Sequence, residues 1–296
     1  MTESADSRGT GVLVTGSGGQ LGTAFRREYP DAIFLGRGDI DLAAPASLAG
    51  ALGKLHPRLV INCAAYTAVD RAESDEELAT TINGHAVGAM ASFCRDEGVA
   101  FVTFSTDYVF DGESDRPWIE TDSPSPINAY GRSKLVGEDL ALEADALVIR
   151  TSWLISATHP NFVATMLTKA PGGGLRVVDD QTGCPTVAAD LALGTRNVID
   201  AGATGIVHLV NEGKTTWYEL AVEALQGAGL DAGALEAAST EASVTEDGKA
   251  AAKRPRYSVL GSTTRHALGV GPLPHWKESL PDVVDGLYRN GVVPSR

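Results

Sequence analysis

The sequence predicts an α/β fold, a doubly wound parallel sheet joined to a smaller mixed α/β domain. Three observations lead there. Val12-Leu13-Val14 is a short apolar run that breaks into a glycine-rich turn. Before residue 150, apolar runs of strand length alternate five times with stretches of helical spacing, the pattern of strand–helix units wound into a parallel sheet. Beyond Arg150 this rhythm loosens into shorter, mixed elements.

Composition narrows the function. A chain of 296 residues, 43% hydrophobic and 21% charged, can bury a full core as a globular enzyme does. No apolar stretch approaches the roughly 20 residues of a membrane helix. Met1 to Thr10 is polar and reads as a disordered tail without a signal core, so a cytoplasmic protein is expected. Cys63, Cys94 and Cys184 are scattered without metal-ligand spacing, which fits a reducing compartment. A net charge of −14 argues against nucleic-acid and anionic-membrane partners.

The first strand ends in Gly16-Ser17-Gly18-Gly19-Gln20-Leu21-Gly22, with Gly16, Gly19 and Gly22 three residues apart. Such a turn lets backbone amides meet a pyrophosphate at the start of the next helix. Ala32–Leu35 reads as the second strand, and the residues after it choose the cofactor. Arg37 points to the 2′-phosphate of NADPH, while Asp39 and Asp41 behind it leave NADH open. A helix over Ala44–Leu55 leads to a third strand at Leu59-Val60-Ile61, and the small residues after it, with Ala64, Ala65 and Tyr66, let the backbone run close to a cofactor. Arg71–Glu97 has helical spacing, with Leu78, Ile82 and Val87 expected in the core. Asn83 lies among them, either a buried amide satisfied by backbone or a residue of the cofactor site.

Val99–Phe104 is the fourth strand and delivers Ser105-Thr106-Asp107-Tyr108, at the strand end where such sheets place ligands. A loop over Glu113–Ile127 precedes Asn128-Ala129-Tyr130-Gly131-Arg132-Ser133-Lys134. Tyr130 and Lys134 stand four apart and share one helix face. A nearby ammonium is expected to lower the phenol's pKa and make Tyr130 a general acid/base.

Ala146–Arg150 is the fifth strand; a helix opens at Asn161-Phe162-Val163, and Leu175–Val178 is again extended. A helix over Ala188–Ile199 and a strand at Ile206–Leu209 return to the main sheet. Helices open at Trp217 and Trp276, and the Ala/Glu-rich stretch Ala232–Glu246 reads as solvated. Lys253-Arg254-Pro255-Arg256 is the densest basic patch, a charged turn or a seat for phosphates. The organisation expected is a tail at 1–10, a dinucleotide-binding domain over 11–150 plus about 187–210, and a substrate-binding domain over about 151–186 and 211–296.

Glycine turn, Ser-Thr-Asp and Tyr-x-x-x-Lys, in this order, resemble the extended short-chain dehydrogenase/reductase superfamily with its Rossmann-type fold. Ala64-Ala65-Tyr66-Thr67-Ala68-Val69-Asp70, Ser105 to Gly112, Asn161-Phe162-Val163, Asp180-Gln181-x-Gly183-x-Pro185-Thr186 and Arg254-Pro255-x-x-Ser258-x-Leu260 narrow the resemblance. They are similar to the dTDP-4-dehydrorhamnose reductases, over residues 11 to about 290. The resemblance implies a nucleotide-sugar substrate and a last step of dTDP-rhamnose synthesis. Tyr130 would protonate the C4 oxygen, Thr106 would hydrogen-bond it, and Lys134 would hold the nicotinamide ribose. Asp107, Tyr108, Trp153, Asn161 and Arg254 would line or seat the substrate. Some members dimerise through magnesium held by glutamates, one of them just after Pro-Thr. Here Val187-Ala188-Ala189-Asp190 follows, so no metal and a monomer or weak homodimer are expected. Other sugar-nucleotide reductases or epimerases, and a non-catalytic NADP-binding subunit, are the alternatives.

Overall fold

The computed structural model describes residues 11–242 and 251–294; the expected tail at 1–10 lies outside them. Six parallel strands form the central sheet: β1 (Val12–Thr15), β2 (Ile33–Leu35), β3 (Leu59–Asn62), β4 (Ala100–Thr106), β5 (Leu147–Thr151) and β6 (Gly205–His208). Their spatial order is β6-β5-β4-β3-β1-β2. The order reverses between β1 and β3, and a crevice opens there beyond the strand ends.

Each strand is apolar on both sides because helices cover both faces. Leu13, Val60 and Val148 enter one core with Leu48 and Met90. Their neighbours Val14, Ile61 and Ile149 enter the other with Phe25 and Leu191. Removing one such side chain, as in Leu13→Ala, costs about 2–5 kcal/mol. The return of the chain at β6, paired with β5 from Gly205 to His208, agrees with the strand expected at Ile206–Leu209.

A third core lies among the helices Phe162–Lys169, Trp217–Gly227 and Trp276–Arg289, around Leu167, Leu220, Leu225, Val283 and Leu287. Thr216 and Glu219 form a reciprocal capping box that fixes where the Trp217 helix begins.

Three sequence expectations change. Arg71–Glu97 is not one helix but Val69–Ala72, Glu76–Thr80, a π-helical turn Thr81–His85 and Ala86–Asp96. The break and the extra residue per turn shift the helical phase, so Leu78 is 40% exposed while Ala79 and Val87 are buried. Ala44–Leu55 resolves into a 3₁₀ turn, Pro45–Ser47, and the helix Leu48–Gly53. Within the stretch read as solvated, Leu235–Ala238 is a strand parallel to Leu175–Val178. Its burial rests on Leu235, and its backbone partner lies about 60 residues away, beyond what composition reveals. Residues 243–246 of that stretch lie outside the described residues.

A buried charge cluster fastens the Ala129–Leu142 helix to the sheet. Arg150 of β5 donates to Glu138 at 2.6 Å, with both side chains 1% exposed. His208 of β6 stands beside Arg150 and its Nδ1 faces the carbonyls of Trp118 and Gly261. Burial pulls its imidazole down to about 4, so it is neutral, with Nδ1 donating. Deleting one partner of such a pair costs about 3–5 kcal/mol.

Candidate active site

One cleft of about 810 Å³ runs from the glycine turn to Trp153 and Pro160. At one end Gly16 has φ +68°, a left-handed conformation that favours glycine. A Cβ on Gly22 would collide with the Gly16 carbonyl, so the Gln20–Glu28 helix can sit this close only with glycine there. Gly19 caps that helix without a side-chain hydrogen bond, which leaves its first amides facing the cleft. Gly16, Gly19, Gln20, Leu21, Arg37, Ala64 and Ala65 all line it. Buried polar atoms without a partner stand on four lining residues, Gln20 Oε1, Ser105 Oγ, Asp107 Oδ2 and Thr151 Oγ1. Exposed amides, close backbone and orphaned polar atoms fit a dinucleotide carrying a diphosphate.

Midway along the cleft Thr106, Asp107, Tyr130 and Lys134 come together. The helix bearing Tyr130 starts at Asn128, whose Oδ1 accepts from Gly131 N at 2.7 Å. Asn128 Nδ2 donates to the Lys253 carbonyl, tying this start to the C-terminal segment. A Cβ on Gly131 would strike the Tyr108 carbonyl; glycine here lets Tyr130 reach the end of β4. Tyr130 and Thr106 line the same stretch of the cleft, and Thr106 Oγ1 donates to Asp107 Oδ1 at 3.0 Å.

The electrostatics differ from the sequence expectation. Burial and the Asp107 carboxylate push the Tyr130 phenol up, with Thr106 opposing. Lys134 does not lower it, because Lys134 Nζ donates to the Phe104 carbonyl at 2.5 Å. Burial pulls that ammonium down to about 8, against the pull of Glu138. Tyr130 is therefore held protonated, as a proton donor requires. Burial also pushes Asp107 up to about 7, opposed by the hydroxyls of Ser258 and Thr106.

The far end is walled by Trp153, which stacks on Trp217 with centroids 3.6 Å apart and planes 9° from parallel. Trp217 Nε1 donates to Gln181 Oε1. A Cβ on Gly183 would enter the Trp153 ring, so Gln181 and Gly183 hold this wall in place.

The model of the RmlD substrate binding domain matches residues 10–289. The chain belongs to that family. It is 38% identical over 283 residues to a dTDP-4-dehydrorhamnose reductase of Streptomyces griseus, covering 91% of each. It is 36% identical over 277 residues to a dTDP-4-keto-6-deoxy-D-glucose reductase of Streptomyces niveus, covering 90% of this chain and 94% of that one. The solved dTDP-4-dehydrorhamnose reductase of Bacillus anthracis, in complex with NADP, superposes with a TM-score of 0.84 at 33% identity, covering 92% and 97%.

In this member of the RmlD family several sequence-predicted site residues stand beside the cleft rather than on its wall. Asp41 takes the Ala43 amide in a local turn. Asn83 clamps both backbone groups of Tyr66 and donates to Ser133, so it ties the stretch after β3 to the Tyr130 helix. Tyr66 bonds Asp75 through its hydroxyl. Asn161 caps the Phe162 helix and holds the Ser156 and His159 carbonyls. Tyr108 stands edge-on to Tyr130 at 6.0 Å. Arg254 donates to the Ala252 carbonyl and pairs with Asp70 at 2.9 Å. Burial would raise Asp70, but Arg254 and the Ala252 amide hold it low. Sequence reasoning missed Ser17, Thr67, Ser152, His159 and Pro160, which line the cleft. The N-capping pattern at Asn161 was the available signal for the last two.

Among the described residues no cluster of three or more His, Cys, Asp or Glu could hold a metal. Asp190 Oδ2 is taken by Asn211 and Ser279, each at 2.6 Å. No helix among the described residues is long and apolar enough to cross a membrane.

Proposed function

We propose that the chain reduces the C4 carbonyl of dTDP-4-dehydro-L-rhamnose to give dTDP-L-rhamnose, with NADPH as reductant and NADH as a possible substitute. The observation that carries this reading is the convergence of Thr106, Tyr130 and Lys134 in one cleft, between the glycine turn and the Trp153 wall. The glycine turn, Ala64, Ala65, Arg37 and Lys134 would hold the cofactor, which supplies hydride when bound. The names of the two relatives and the NADP complex of the solved neighbour support the same chemistry.

Tyr130 keeps its proton until negative charge develops on the carbonyl oxygen, because burial and the Asp107 carboxylate disfavour its phenolate. Thr106 orients that oxygen with its hydroxyl. Lys134, fixed on the Phe104 carbonyl, places a positive charge beside the nicotinamide end. Trp153 offers a flat apolar wall against which a sugar ring packs. A dehydratase needs a second acid after Asp107, and Tyr108 stands there.

The test is NADPH oxidation with dTDP-4-dehydro-L-rhamnose and one equivalent of dTDP-L-rhamnose formed. A second reading, reduction of another dTDP-4-keto-6-deoxy sugar, is favoured by the name of the Streptomyces niveus relative. Turnover of such a sugar at higher kcat/KM than the rhamnose precursor would select it.

A further inference from the structure

Resting on the reductase reading, the Trp153 wall stands on a strained backbone. Trp153 has φ +45°, a left-handed conformation that is an outlier for a bulky residue. The other non-glycine residues with positive φ among those described, His56 and Asp145, are exposed and polar. Trp153 is 9% exposed and lines the cleft. It makes the corner at which the chain leaves β5 after Thr151 and enters the short strand Leu154–Ile155. Glycine takes such a corner without strain. A tryptophan keeps an indole there against the backbone's preference, and strain of this kind persists only where the surroundings over-determine it.

One segment supplies that constraint. Ser152, 3% exposed, donates from Oγ to the Cys184 carbonyl at 2.6 Å. The Trp153 carbonyl accepts from the Thr186 amide at 3.1 Å. Leu154 and Ile155 pair with Thr186 and Val187. The indole lies on Trp217, and Gly183 leaves room for its edge. Ser152 thus holds the chain before the corner and Thr186 the chain after it, and the angle between them is the φ of Trp153.

We propose that Ser152 is a positioning residue for the keto-sugar: its hydroxyl, tied to the Cys184 carbonyl, holds Trp153 in the left-handed corner and so fixes the plane of the indole wall. Without that bond the preceding peptide is free to turn, Trp153 relaxes toward an ordinary φ, and the indole leaves Trp217. The sugar then meets a wall in several orientations, of which only the held one fits. Its apparent affinity falls with the fraction of molecules in that orientation. The glycine-turn helix meets this region through Gln20 Nε2 on the Leu154 carbonyl at 3.3 Å, past the corner, so the cofactor end is spared.

The test is Ser152→Ala beside Ser152→Thr, which keeps a hydroxyl. Trp153 and Trp217 are the one stacked pair of indoles among the described residues, and such a pair gives an exciton couplet in circular dichroism. In Ser152→Ala without ligand the couplet should weaken. Its KM for the keto-sugar should rise about two- to tenfold, with kcat and KM for NADPH near wild type. Ser152→Thr should restore both couplet and KM. A raised KM with an unchanged couplet would make Ser152 a direct substrate contact, and a lost couplet with an unchanged KM would show that the plane of the wall does not matter. Either result overturns the proposal. Should Ser152→Ala fail to fold, Trp153→Gly and Trp153→Ala decide. Both remove the ring, and at an ordinary φ the alanine is the more stable. At this corner Trp153→Gly should melt above Trp153→Ala; the opposite order means an unstrained corner and overturns the proposal. A wild type inactive on every 4-keto sugar would overturn the reductase reading, while the couplet and the melting order, which need no substrate, judge the corner alone.

Discussion

The two ends of the cleft are built in different ways. The glycine-turn end comes from three contiguous stretches at the tips of the neighbouring strands β1, β2 and β3, and it presents mostly backbone. The Trp153 end is assembled from side chains far apart in the chain, with Trp153 on Trp217 and Trp217 on Gln181. Tyr130 stands where they meet. A backbone-built end can serve any dinucleotide whose phosphates fit the turn. An end built from stacked side chains can change substrate by a single replacement. Variants at either end should therefore change one Michaelis constant and spare the other.

Tyr130→Phe, at the junction, should have the largest effect. It removes the proton donor and lowers kcat by about 10²–10⁴, with NADPH affinity and thermal stability retained. A variant with near wild-type kcat would remove Tyr130 from the role. Arg37→Ala should act at the cofactor end only. Losing a charge-assisted bond to the 2′-phosphate should raise KM for NADPH by about tenfold, with KM for NADH and for the sugar unmoved. Equal changes for both cofactors would place Arg37 outside the ribose site.

Trp217→Ala should act at the opposite end. Without its stacking partner Trp153 is free to tilt, and an aromatic pair of about 0.5–1.5 kcal/mol corresponds to a rise of roughly two- to tenfold in KM for the sugar. Cofactor KM serves as the control, and a shift there instead would mean that the two ends are coupled. EDTA should do least of all. Asp190 is engaged by Asn211 and Ser279, so activity and sedimentation should be unchanged. Activity lost to EDTA and restored by magnesium would show that other carboxylates bind a metal.

The same contrast explains what the sequence made legible. Gly16 to Gly22 and the Tyr130/Lys134 pair are local patterns, and their geometry follows from one turn or one helix. The alternation of strands and helices gave the sheet and even its sixth strand for the same reason. The Trp153–Trp217 stack is a tertiary contact between elements that no spacing relates. Leu78 was misplaced because a π-helical turn changes the periodicity, and single-residue shifts of that kind leave no mark in apolar spacing. Asn83 and Asn161 were recognisable as polar residues at ordered positions, but the backbone groups they clamp were not. The direction of the Tyr130 pKa shift also escaped, since it depends on Asp107 and on burial, neither of which the spacing of Tyr130 and Lys134 encodes.

The central claim is that hydride reaches C4 of the sugar while Tyr130 protonates its oxygen. Turnover of dTDP-4-dehydro-L-rhamnose with NADPH deuterated at the transferring position tests it most directly, with the product read by NMR. The account predicts a single deuterium, bound to C4 of dTDP-L-rhamnose. Deuterium at another ring carbon, or product without deuterium, would contradict it.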